Sequence, residues 1–154
     1  MKELRIQNKT ELEAFARDFL MMLKEKKETM LKNPSSAGSL VVGLSGDLGS
    51  GKTTFSQIVA RLLGVDETVT SPTFIIQKSY KTKDPVFQVF THIDAYRIEE
   101  ESELKSLGFR EQLEIPNSLM FIEWPEKIQD ALPPDTGIVS FEFINESERV
   151  VRYE

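Results

Sequence analysis

The run Gly46-Asp47-Leu48-Gly49-Ser50-Gly51-Lys52-Thr53 constrains this chain more than any other segment. It fits G-x-x-x-x-G-K-[ST] at every fixed position. The apolar run Leu40-Val41-Val42-Gly43-Leu44 precedes it, as suits a strand buried on both faces. Phe55, Ile58, Val59, Leu62 and Leu63 follow at helical spacing, and Gly64 provides a stop. Strand, glycine loop and helix, in that order, make a phosphate cradle. Glycines admit backbone angles that other residues resist, so successive N–H groups can face one anion. The helix N-terminus adds its dipole and its unpaired N–H groups. Lys52 is expected to reach the β- and γ-phosphates of a nucleotide, and Thr53 to offer its hydroxyl to Mg²⁺. Asp47, Leu48, Gly49, Ser50, Gly51 and Thr54 complete the expected nucleotide contacts.

Magnesium needs more oxygen ligands than Thr53 and phosphates supply, and a carboxylate ending a buried strand commonly helps. Two positions qualify. Asp94 ends the run 86–93, and Glu123 ends Ser118-Leu119-Met120-Phe121-Ile122. Strand ends lie at the rim where α/β sheets bind ligands. Lys52, Asp94 and Glu123 are therefore the candidate catalytic residues, with Thr53, Asp94 and Glu123 as candidate metal ligands. The hydroxyls of Ser71 and Thr73, either side of Pro72, are placed to act as a switch, although Pro72 alone would explain a turn there. His92 is the only histidine, and a lone histidine near a strand end more often packs and hydrogen-bonds than ligates. Trp124 is the only tryptophan; it either stacks on an adenine or fills the core.

The other elements surround this unit. Leu12, Phe15, Ala16, Phe19, Leu20 and Leu23 predict an amphipathic helix over 11–24, capped by Asn8 or Thr10, with a short strand before it near 4–6. Residues 24–39 read as a solvated helix end and flexible linker. Strands are expected at 73–80 and 86–93, a helix broken near Gly108 over 99–113, and a hairpin of 138–144 with 150–153. This gives a single domain, 1–154. Its expected fold is α/β, a P-loop NTPase-like three-layer sandwich with a mixed, mainly parallel central sheet and a C-terminal β-hairpin.

Composition excludes several classes. There are no cysteines, hence no disulfides, thiol nucleophiles or cysteine-held metals. No apolar stretch approaches a membrane span and no secretory signal opens the chain, so a cytoplasmic protein without membrane contact is expected. A net charge of -6 disfavours direct nucleic-acid binding. No D-x-x-G follows the loop where a GTPase would carry one, so ATP is expected over GTP. Arg97 and Arg110 are far apart with no evident lid between them, which weakens the alternative of a small-molecule P-loop kinase. A third reading is a nucleotide-dependent binding module without catalysis.

Several segments in order carry a resemblance: the glycine loop continued by Thr54-Phe55, then Ser71-Pro72-Thr73-Phe74, His92-Ile93-Asp94-Ala95-Tyr96-Arg97, Leu107-Gly108, and Ile122-Glu123-Trp124-Pro125-Glu126. Together they resemble the TsaE (YjeE) family of bacterial ATPases for threonylcarbamoyladenosine (t6A) formation in tRNA, from about Leu40 to Arg149. The resemblance implies ATP and Mg²⁺ as cofactors and a TsaB–TsaD pair as partner, with tRNA contacted indirectly. It implies that Thr53 and Glu123 serve the metal, that Asp94 holds the metal or its water, and that Ser71-Pro72-Thr73 is a switch. Trp124 and Arg149 would lie near the nucleotide. Leu12 falls where the family often has a threonine near the adenine.

Overall fold

The computed structural model describes residues 1–32, 38–69 and 77–154. Among the described residues, twelve elements follow one another: β1 (Lys2–Ile6), α1 (Lys9–Leu31), β2 (Leu40–Gly46), α2 (Lys52–Leu62), β3 (Gln77–Lys81), β4 (Val89–Asp94), α3 (Ser102–Ser106), α4 (Phe109–Leu113), β5 (Ser118–Glu123), a 3₁₀ helix (Pro125–Ala131), β6 (Gly137–Asn145) and β7 (Glu148–Tyr153). The strands form one seven-stranded sheet in the order β1-β7-β6-β2-β5-β4-β3. β6, β2, β5 and β4 pair in parallel. β7 runs against both β6 and β1, so β1 shares the common direction. Only β7 and the edge strand β3 oppose it, which makes five of seven strands codirectional. The mixed, mainly parallel sheet and the C-terminal hairpin are as the sequence predicts.

Alternation along the central strands builds the layers. Leu40, Val42 and Leu44 of β2 join Leu119 and Phe121 of β5 in a core with Phe15 and Phe19 of α1 and Phe55 and Ile58 of α2. Val41 of β2 and Met120 and Ile122 of β5 point the other way, onto Leu104, Phe109 and Ile128. Phe55 is the hub of the first core, stacked on Phe121 at 5.8 Å and on Phe15 at 5.4 Å. Full burial of an aromatic side chain contributes about 1.5–3 kcal/mol, so the helix after the glycine loop is pinned by its own first turn.

α1 begins at Asn8, whose Oδ1 accepts from the Glu11 amide at 2.9 Å while the Glu11 carboxylate accepts from the Gln7 amide. The Asn8 cap, with the Glu11 carboxylate tying down the residue before it, sets the helix start. Its end departs from expectation. The helix runs on through Leu31, so the solvated helix end expected in 24–39 takes up 24–31 and no linker begins before Lys32. Within this extension Lys27, which reads as solvated in sequence, is buried, with its ammonium donating to the Gly38 carbonyl. Burial holds that amine below the ordinary lysine range. Residues 33–37 lie outside the described part. The helix expected over 99–113 is two short helices, α3 and α4, divided at Gly108, which adopts φ 68°. Of the strand expected over 73–80, β3 covers the end, and 70–76 lie outside the described residues.

Candidate active site

The parallel strands β6, β2, β5 and β4 end on one rim, and the glycine loop leaves β2 there. Gly46 turns the chain with φ 141°. A Cβ at this position would sit 2.3 Å from the Phe141 carbonyl oxygen of β6, so only glycine fits. Gly51 caps α2 with φ 109°, and the first-turn amides of α2 then face the loop interior without helical partners. The loop is braced by the Ser50 amide donating to the Asp47 carbonyl at 3.1 Å. Leu48 stands at the tip, 71% exposed. Ser50 is buried, and its hydroxyl has no partner among the described residues.

Register brings the charged groups to this loop. In β5, Leu119, Phe121 and Glu123 share the face toward α2; in β4, Phe90, His92 and Asp94 do the same. The two strands pair in parallel with His92 opposite Phe121 and Asp94 opposite Glu123. Thr53, in the first turn of α2, therefore meets Glu123. Its hydroxyl lies 3.0 Å from Oε1 and 3.3 Å from Oε2 of that carboxylate. Glu123 is only 3% exposed and His92 only 1%, and their Oε2 and Nε2 are 2.8 Å apart. His92 is thus a packed, hydrogen-bonded residue, but its partner is a site carboxylate.

Lys52 is 5% exposed. Its ammonium donates to the Gly46 carbonyl and, at 3.1 Å, to that of Asp47. It also sits 4.1 Å from the ring centroid of Trp124. Desolvation pushes its pKa below the ordinary lysine value, against the pull of Glu123, Glu126, Asp94 and Asp47. Asp94 is half-buried, and burial raises its carboxyl above the ordinary range, with the Glu123 charge adding to the rise. The Tyr96 amide, 3.0 Å from Asp94 Oδ1, together with the charges of His92 and Lys52, acts the other way.

Trp124 follows Glu123 with φ 62° and ψ 52°, the left-handed region that a bulky residue rarely occupies. Its amide donates to the Leu44 carbonyl at 3.2 Å, and its ring packs on Tyr96 at 5.1 Å. It stands against the loop lysine. A cavity of about 270 Å³ lies elsewhere along the loop, among Asn8, Leu12, Ser50, Gly51, Thr54 and Arg149. Trp124 is not part of its wall. Arg149 is, although its guanidinium donates to the Asn145 carbonyl at 2.5 Å and lies 4.5 Å from the Phe143 ring centre. The start of α1 thus reaches the loop through Leu12, which sequence periodicity marks only as a core position. Tyr96 gave no separate signal beyond its place in the His92–Arg97 segment. Ser71 and Thr73 lie outside the described residues.

Comparison with known proteins bears on what this rim belongs to. The family model for "Threonylcarbamoyl adenosine biosynthesis protein TsaE" matches residues 6–151. The chain belongs to the TsaE family. Among the relatives of this TsaE chain, the tRNA threonylcarbamoyladenosine biosynthesis protein TsaE of Bacillus subtilis is 37% identical over 113 residues, covering 73% of this chain and 68% of the relative. That of Borreliella burgdorferi is 37% identical over 122 residues, covering 75% and 85%. The crystal structure of Bacillus subtilis YdiB superposes with a TM-score of 0.65 at 26% identity, covering 99% of this chain and 83% of that one. The TsaE family acts in t6A biosynthesis, and the fold around the glycine loop is P-loop-like. No helix among the described residues is long and apolar enough to cross a membrane.

Proposed function

We propose that this TsaE chain is a magnesium-dependent ATPase that supports t6A modification of tRNA adenosine 37 by acting on a TsaB–TsaD complex. One observation carries the ATPase reading. The Thr53 hydroxyl and the buried Glu123 carboxylate meet at 3.0 Å beside the loop lysine. That pair, with Asp94 in register, offers only hard oxygen donors. Such a set suits Mg²⁺, which takes one or two carboxylates and fills its shell with water and phosphate oxygens. Thr53 and Glu123 would hold it, with Asp94 beside them; bound there, it would neutralise charge on the β- and γ-phosphate oxygens.

The chain's own groups would do the rest. The loop amides and the α2 N-terminus hold the phosphates. Lys52 exchanges the Gly46 and Asp47 carbonyls for phosphate oxygens and stabilises charge on the transferring group. Asp94, half-buried at the rim, accepts a hydrogen bond from the attacking water and orients it. The cavity walled by Leu12, Thr54 and Arg149 takes the nucleoside. The net charge of -6 favours action through a protein partner over direct tRNA contact. A site open at its rim turns over slowly until a partner covers it, which excludes water and strengthens each charge interaction.

The test is ATP hydrolysis by the purified chain, alone and with a TsaB–TsaD pair, beside Lys52→Ala and Glu123→Ala. Turnover should rise with the pair and fall by about 10²-fold or more in both variants, the loss typical of one removed charge stabiliser. Rapid turnover by the chain alone, or indifference to the pair, would overturn the proposal.

A further inference from the structure

Glu123 is a carboxylate almost wholly removed from water, and a buried carboxylate is costly unless hydrogen bonds satisfy it. Two groups do so. Thr53 Oγ1 approaches from the loop side at 3.0 Å to Oε1, and His92 Nε2 approaches from β4 at 2.8 Å to Oε2. The second contact is enforced by the sheet. Parallel pairing of β4 with β5 sets His92 one pleat before the Asp94–Glu123 pair, on the same face. Phe90 and Phe121, edge to face at 5.3 Å, pack beneath it.

We propose that His92 is a positioning residue: it donates Nε2–H to Glu123 and fixes the carboxylate rotamer so that Oε1 stays on the Thr53 side. An ionised carboxylate only accepts, so the bond requires the proton on Nε2. Freed of that bond, the Glu123 side chain has rotamers that turn its oxygens away from Thr53, and ordering it again on metal binding costs affinity. Partners that orient a metal-holding carboxylate typically contribute about 10–100-fold in metal affinity. This rests on the reading of Glu123 as a magnesium-holding group.

The experiment is calorimetric ADP binding with Mg²⁺ and with EDTA, in the wild type, His92→Phe and His92→Gln. The readout is the ratio of the two dissociation constants, and thermal unfolding without nucleotide is followed in parallel. His92→Phe keeps a flat ring but loses the donor, and His92→Gln returns a donor near the Nε2 position. The ratio should fall by about 10–100-fold in His92→Phe and recover in His92→Gln. His92→Phe should add nothing further in a Glu123→Gln background. A purely structural role would lower the melting temperature in both variants and leave the ratio at the wild-type value, which overturns the proposal. If the wild-type ratio is itself one, the reading of Glu123 as a magnesium-holding residue fails instead, and the two failures are told apart.

Discussion

Trp124→Leu should tighten ADP binding. In the structure, Lys52 is held by two backbone carbonyls and by the Trp124 face, 4.1 Å from the ring centre. To meet a β-phosphate the ammonium must leave that face. A cation over an aromatic ring is worth about 0.5–1 kcal/mol in the open and about 2 kcal/mol when desolvated. Lys52 is 5% exposed, so the upper part of that range applies. Leucine removes the aromatic face and leaves both carbonyl bonds in place. With about 1.4 kcal/mol per factor of ten, relief of about 1–2 kcal/mol predicts ADP binding about 5–30-fold tighter. AMP, which has no β-phosphate, should show little change. The assay is calorimetry in EDTA with ADP and AMP, repeated in a Lys52→Met background where the gain should vanish. Weaker ADP binding by Trp124→Leu, with AMP unaffected, would show that the indole supports the bound lysine and does not hold it back. Equal gains for AMP and ADP would also refute the reasoning.

Two other perturbations test the same rim. Asp94 has a raised folded-state pKa, so the folded chain holds that proton more tightly than the unfolded chain does. Stability from this group is present at low pH and is lost as pH rises through the unfolded and then the folded value. Asp94→Asn should therefore raise the nucleotide-free melting temperature at pH 7 by about 1–4 °C, for about 1 kcal/mol or less after solvent screening, and the gain should shrink as pH falls toward 4; the same variant should lose ATP turnover. Ser50→Ala removes a buried hydroxyl without a partner among the described residues. Because an unsatisfied buried polar group costs about 1–3 kcal/mol, alanine should raise the nucleotide-free melting temperature; a lower one would reveal a bond that the hydroxyl makes.

Much of this was legible in sequence, for identifiable reasons. The glycine loop reads clearly because Gly46 and Gly51 occupy backbone angles, and Gly46 also a space, that other residues would not tolerate. Asp94 and Glu123 read clearly because an apolar run followed by a carboxylate marks a strand end. Their pairing could not be read, because parallel register depends on a crossover that no local pattern encodes. The same holds for His92. Its packed character follows from being a lone histidine in an apolar strand, but its partner is 31 residues away. Lys27 misled for a different reason. Its charge marks solvent, yet its stem lies in the core and only its tip needs an oxygen, which the Gly38 carbonyl supplies. The place of Leu12 at the cavity follows from the resemblance and not from periodicity, because a core-facing stripe and a cavity wall look alike in one dimension.

Lys27, Ser118 and Asn117 carry a desolvated amine, an unpartnered buried hydroxyl and a positive φ elsewhere in the fold, but the features that bear on the site gather at one rim. A lysine desolvated below its ordinary pKa, an aspartate raised above its own, a buried serine hydroxyl without a described partner and a tryptophan at positive φ all lie on the rim where the parallel strands end. Each opposes folding, whereas alternating strands, a capped α1 and an aromatic hub at Phe55 favour it. Packing of the two cores against both faces of the sheet holds these groups in place without their consent. An anion bound in the loop would return counter-charge to Lys52, and a divalent cation beside Glu123 would do the same for Asp94. The cost at Lys52 and Asp94 is thus of a kind that a metal–nucleotide pair removes. That complementarity, more than the glycine pattern alone, is the physical argument for reading the rim as a site built around a charged ligand.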